Sequence, residues 1–179
     1  LIIALGATIS LFAFFLTNFM DETYSDHLDF NSELIASSIR QAMLPGNAPD
    51  AVSTMTDIKD IDDDIELSLY RINGQEAFTD NMTIKMVNKE IGMNAFETDP
   101  LRPDMGPIVE QSEAFKQAIT EKTTIKMRHS LEDEYFVTLY KPFVTLPKCS
   151  RCHGPLPTIR GTIKMEMNIT GEVSTQNRT

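Results

Sequence analysis

The chain has 179 residues, with 26 acidic against 16 basic side chains, a formal net charge of −10 and two cysteines. That acidic balance excludes a nucleic-acid partner, whose phosphates demand a basic surface, and two cysteines exclude a disulfide framework or a four-cysteine zinc site. The length suits one domain plus an appendage, since domains commonly run about 100 to 200 residues.

Leu1–Met20, LIIALGATISLFAFFLTNFM, carries no charged side chain. About 20 apolar residues, each rising about 1.5 Å, span a bilayer core of about 30 Å. The stretch is longer than a signal-peptide apolar region and lacks an A-x-A-like cleavage site. Residues 1–20 are therefore expected to be a transmembrane helix, with an uncleaved signal peptide as the alternative. The chain starts with neither Met nor a basic flank, so this anchor is expected to be partial and the chain a piece of a longer product. From Asp21 to Leu44, the residues Leu28, Ile35, Ile39 and Met43 fall at helical spacing, with Phe30 and Leu34 on a neighbouring stripe. Pro45-Gly46-Asn47 stops that helix, which is expected to be long and continuous with the anchor.

Ala51–Ile58 predicts a short second helix. The acidic run Asp57–Glu66 sets Asp60, Asp62 and Asp64 at alternate positions, but a calcium loop then needs Gly and, at its twelfth place, Glu, where this chain has Ile65 and Arg71. The run is expected to be a solvated loop. In Glu66–Asp80 alternating residues flank Asn73-Gly74, which predicts a hairpin. Met82–Ile91 and Glu110–Glu121 predict helices, separated by a loop carrying Pro100, Pro103 and Pro107. Thr123–Ser130, Glu134–Pro142 and Ile159–Ile169 predict strands; in the last, Ile163, Met165, Met167 and Ile169 alternate with Lys164, Glu166 and Asn168.

Between the last two strands stands Cys149-Ser150-Arg151-Cys152-His153, the spacing at which c-type haem is attached. Two thiols two residues apart can form thioethers to one porphyrin while the adjoining imidazole reaches the iron. A thioredoxin-like pair would open a helix after a buried strand. Here Pro147 precedes the motif, and Gly154, Pro155 and Pro157 follow it. A zinc site completed by His153 with His27 or His129 is the other alternative, though ligands so close in sequence rarely close a good tetrahedron. The expected cofactor is one covalently attached haem c, with Cys149 and Cys152 as attachment points and His153 as an iron ligand. Haem is attached on the outer side of the bacterial cytoplasmic membrane, so residues after Met20 are expected in the periplasm, anchored to the inner membrane. Asp21, Glu22 and Asp26 fit an outside flank.

Tyr140-Lys141-Pro142-Phe143 leading into Lys148–Gly154, then Ile159-Arg160-Gly161, together with Ser38–Leu44 and Tyr70–Gln75, resemble the periplasmic c-type haem sensor domains, PAS-like or Cache-like, of bacterial chemotaxis receptors and sensor histidine kinases. The resemblance implies an α+β fold, an antiparallel sheet with flanking helices preceded by the long N-terminal helix. It implies a sensor domain over residues 21–171 and an exit segment, 172–179, toward a missing C-terminal part. It implies a homodimer that reads redox state or a diatomic gas and passes the signal across the membrane to a signalling module, without enzymatic activity. Met43, at the end of the first helix, is the expected second iron ligand, with His129, Met105, His27 or water as alternatives. Lys148, Arg151 and Arg160 are the expected partners of the haem propionates. The competing expectation is a membrane-tethered monohaem cytochrome in periplasmic electron transfer.

Overall fold

The computed structural model describes residues 28–43, 48–61, 64–149 and 159–171. The predicted anchor, His27, Pro45-Gly46-Asn47, Arg151, Cys152, His153 and the predicted exit segment lie outside the described residues, as does the side chain of Lys148. Among the described residues no helix is long and apolar enough to cross a membrane. The chain forms two compact units, Leu1–Ser37 and Ser38–Thr179.

Residues 28–43 are helical and are called α1. In the first unit the buried positions are Leu28, Ser32 and Ala36, at i, i+4 spacing, and Ser32 Oγ donates to the Asp29 carbonyl at 2.8 Å. Phe30 and Leu34 face outward, 67% and 57% exposed. The predicted stripe holds: Leu28 and Ile39 are buried and Ile35 and Met43 half-buried, with the small Ser32 and Ala36 filling the same helical face.

The second unit is α+β. After the end of α1 come α2 (Ala48–Ile61), β1 (Ile65–Arg71), α3 (Met82–Ile91), α4 (Glu113–Glu121), β2 (Ile125–Leu131), β3 (Glu134–Val144) and β4 (Ile159–Asn168), with one 3-10 turn at Pro147–Cys149. The four strands form one antiparallel sheet in the order β1-β4-β3-β2. Alternation and register together assign its two faces. One face carries the rows Ile65–Met167–Val137, Leu67–Met165–Leu139 and Leu69–Ile163–Lys141. Leu67, Leu139, Ile163, Met165 and Val137 are almost wholly buried there, and so are Ile39 of α1 and Ala51 of α2. Each fully buried large side chain contributes roughly 1.5–3 kcal/mol, so this face is the core.

The opposite face is mixed: Ser68, Lys164, Glu166 and Thr138 stand on it beside Tyr70, Tyr140 and Ile125, which form a second apolar cluster with α4. There α4 packs on β2, β3 and β4, inserting Phe115 edge-on between Tyr70 and Tyr140 at 6.2 and 6.4 Å.

Several predicted boundaries shift for identifiable reasons. The second helix runs from Ala48 through Ile61, so the first half of the acidic run, Asp57–Ile61, is helical, Asp64 lies in a turn and Ile65 begins β1; Asp62 and Asp63 lie outside the described residues. The first helical residue after the proline-rich loop is Glu113, not Glu110. Ser112 caps the helix by accepting from the Phe115 N–H at 3.2 Å, and Glu110 stays outside the helix, accepting from the Ser112 N–H and the Tyr140 hydroxyl. The turn at Asn73-Gly74 forms, and residues 75–77 return along β1 as a short hairpin arm: the Arg71 N–H donates to the Gln75 carbonyl at 2.8 Å and the Ala77 N–H to the Leu69 carbonyl at 2.7 Å, with the bridge Tyr70↔Glu76. Gly74 also ties the turn to the proline-rich loop: it holds φ +82°, and its carbonyl accepts from both Val109 and Glu110 N–H.

A side chain at Gly74 would collide with the Glu110 carbonyl, whereas at Gly92, also at positive φ, it meets open space. The left-handed conformation alone costs roughly 1–2 kcal/mol, and a forced backbone shift roughly 1–3 more. Urea unfolding should therefore give a loss of about 3 kcal/mol for Gly74→Ala and about 1 kcal/mol for Gly92→Ala. Equal losses would contradict the clamp between turn and loop.

Candidate functional site

Two positions beyond Leu69–Ile163–Lys141, the core face of the sheet ends in the row Arg71–Gly161–Phe143. All three of these residues line a cavity of about 400 Å³, within the range of about 300–1,000 Å³ common for cofactor pockets. Leu69 and the buried Phe143 supply its apolar floor, and Val144 and Thr145 continue it where β3 leaves the sheet. Across the cavity stand Arg40 and Met43 from the end of α1, and Met82, Thr83 and Met86 from α3.

Cys149 opens onto the same space. It closes the turn Pro147–Cys149 by donating its N–H to the Leu146 carbonyl at 2.9 Å, and its half-buried side chain lines the cavity beside Arg160. Among the described residues three arginines and no carboxylate line this cavity, in a chain whose net charge is −10. Arg40 lies over the Phe143 ring, 5.1 Å from its centroid, a cation–π contact that strengthens with desolvation. Burial pulls the Arg160 guanidinium below its ordinary range, while the Cys149 sulfur pushes it back up; an arginine remains charged throughout.

The wall formed by α3 is held by an ion pair. Arg71 makes a bidentate contact with Asp80, at 2.8 and 2.6 Å, and also donates to Thr83 Oγ1. The Asp80 side chain has no solvent exposure. It accepts two further bonds, from Met82 N at 3.0 Å and Gly106 N at 2.6 Å. One carboxylate thus ties the end of β1, the first turn of α3 and the proline-rich loop together. Asn81 adds to this by bonding through its amide to Asp99 and Arg102 in that loop.

Of the residues expected from sequence, Cys149, Met43 and Arg160 come together in this cavity. His129 does not. It pairs with Phe136, on whose ring it stacks at 5.4 Å, while Phe143 marks the cavity end of the same strand. Seven residues at about 3.3 Å each set them about 23 Å apart along β3. Met105 is 63% exposed on the proline-rich loop and does not line the cavity. Cys152, His153, Arg151 and His27 lie outside the described residues.

Among the cavity residues that the sequence reading did not assign to the site are Arg40, Arg71, Met82 and Met86. The methionine pair has a readable signal, i and i+4 spacing on one face of a helix. The arginines have none, because their role depends on which end of the sheet they meet. No protein-family model matches the chain, and no curated protein matches it either.

Burial pushes the Asp80 carboxyl up, but the hydrogen bonds from Arg71, Gly106 and Met82 outweigh it and hold the group below its ordinary 3.8. A lowered folded-state pKa means stability that is fully present above the unfolded value and is lost as pH falls through the folded one. Asp80→Asn also leaves Arg71 buried without its counter-charge, a change that costs roughly 3–5 kcal/mol. Chemical denaturation should show that deficit constant from neutral pH down to the ordinary carboxylate range and shrinking below it. A deficit that grows with acid would contradict the assignment.

Proposed function

We propose that residues 21–171 form a periplasmic sensor domain of PAS or Cache type, carrying one covalent haem c. The domain reads redox state or a small gaseous ligand and passes the signal across the bacterial inner membrane to a signalling module. One observation carries this reading. The first thiol of the Cys-x-x-Cys-His motif opens onto an apolar, arginine-lined cavity that also receives Met43.

A second observation supports it independently. The segments on which the family resemblance rests are far apart in sequence, and each sends residues to this cavity: Arg40 and Met43, Tyr70 through Asn73, Phe143, and Arg160 with Gly161. The chemistry of the lining suits a porphyrin, whose flat faces are apolar and whose edge bears two carboxylates. Phe143, Leu69 and Val144 meet the first requirement, and Arg40 and Arg160 the second.

In this reading Cys149 and Cys152 would hold the porphyrin by thioethers, and His153 and Met43 would be its iron ligands. Lys148 and Arg151, beside the motif in sequence, join Arg160 as propionate partners. Bound haem supplies electron exchange or reversible binding of a diatomic gas at iron, according to its second axial ligand. The work of the chain is to hold Met43 by a weak, displaceable contact. Met43 is the last described residue of the helix that follows the predicted anchor in sequence, so any difference in its hold on the two iron states would be a bias on that helix.

The sensor reading predicts that amide hydrogen exchange over residues 38–43 differs among the ferric, ferrous and carbon monoxide-treated forms. It also predicts a shift of the ferrous Soret band under carbon monoxide. Identical protection in all three forms, with an unmoved band, would overturn it in favour of a tethered electron carrier.

A further inference from the structure

The cavity holds more thioethers than one axial position needs. Met82 and Met86 of α3 line it together with Met43 of α1, and no histidine is among the described residues that do so. Met82 and Met86 are one turn apart, so they share one face of α3. Met82 is half-buried and Met86 is 53% exposed.

The two sources of sulfur are anchored differently. The main chain of Met82 is tied through Asp80 to Arg71, which is itself part of the row that floors the cavity. The same guanidinium reaches Thr83 on that turn. The α3 methionines are therefore indexed to the sheet, while Met43 sits on the last turn described for α1. A methionine side chain has three rotatable bonds and a soft sulfur, so a modest rotamer change is enough to reach or leave an iron.

We infer that α3 carries an alternative axial ligand, Met82 or Met86, which takes the iron when Met43 withdraws. This rests on the haem reading above. In the exchange one iron–sulfur bond breaks and one forms; no electron moves, and because both thioethers are neutral, no proton is taken up or released. The exchange keeps the iron six-coordinate in both arrangements and differs only in which helix is held. It is consequently independent of pH, unlike a replacement of methionine by lysine or histidine.

Methionine-to-leucine substitutions test this, since they conserve volume and usually cost less than about 1.5 kcal/mol in a packed site. Met43→Leu, Met82→Leu with Met86→Leu, and the triple variant are purified with haem, and their ferric absorption and magnetic circular dichroism spectra are recorded across pH. Met43→Leu is expected to stay low-spin and to keep the sulfur-to-iron charge-transfer band at every pH. The triple variant is expected to lose that band and become high-spin. If Met43→Leu alone matches the triple variant, the α3 ligand is wrong. A low-spin Met43→Leu variant with a nitrogen-type or pH-dependent spectrum is equally fatal to it. Absence of any Soret band in the parent protein would instead bring down the haem reading, and this inference with it.

Discussion

The antiparallel register of β4 between β1 and β3 is the constraint on which the rest depends. It stacks Leu67, Met165 and Leu139 in one row of the core. Carried four positions along β1, the same register brings Arg71, Gly161 and Phe143 into line at the end of the sheet. A slip of one residue would turn every one of these side chains to the other face. The β3–β4 connection, which contains the Cys-x-x-Cys-His motif, springs from that same end. The cavity is therefore the continuation of the hydrophobic core past the point where apolar side chains stop filling it.

Asp80 is the second fixed point. A buried charge is tolerated only when its lone pairs are satisfied, and Asp80 has bonds from Arg71, Met82 and Gly106. Its partners come from a strand end, a helix start and a loop, so the pair fixes α3 against the sheet without apolar burial. Val87 is the one buried residue on that helix. Specific polar geometry thus replaces core packing on the wall of the cavity, and the space beside it stays open. Phe78 is held at φ +67° on the same wall, its carbonyl accepting from Arg102. Such strain gathers where surrounding structure over-determines a functional site.

The strands and the order of elements were legible because their signals are local. Ile163 and Met165 alternate with polar neighbours, and both are buried. Local signals failed where a distant partner decides the outcome. Glu110 has good helix propensity, yet it serves the Ser112 amide and the Tyr140 hydroxyl and stays out of α4. Gly74 belongs to a correct turn, but no local signal marks the tie of its carbonyl to Val109 and Glu110. At the site, Cys149 was readable from spacing, and Met43 and Arg160 from the resemblance. Arg40 and Arg71 fell within the segments that carry the resemblance, but nothing in those segments marked either side chain as one that lines a cavity. His129, on a strand joined by a tight turn to the one leading to the motif, sits at the far end of that strand, which only the register reveals.

The haem c proposed above would be held by Cys149 and Cys152, in the space bounded by Phe143, Met43 and Arg160. The most direct measurement is peptide mass mapping of protein from cells competent in cytochrome maturation, after alkylation of any free thiols. The account predicts a single peptide spanning Cys149 to His153 that carries one haem and takes up no alkylating reagent. Recovery of that peptide without haem and with both cysteines alkylated would contradict it.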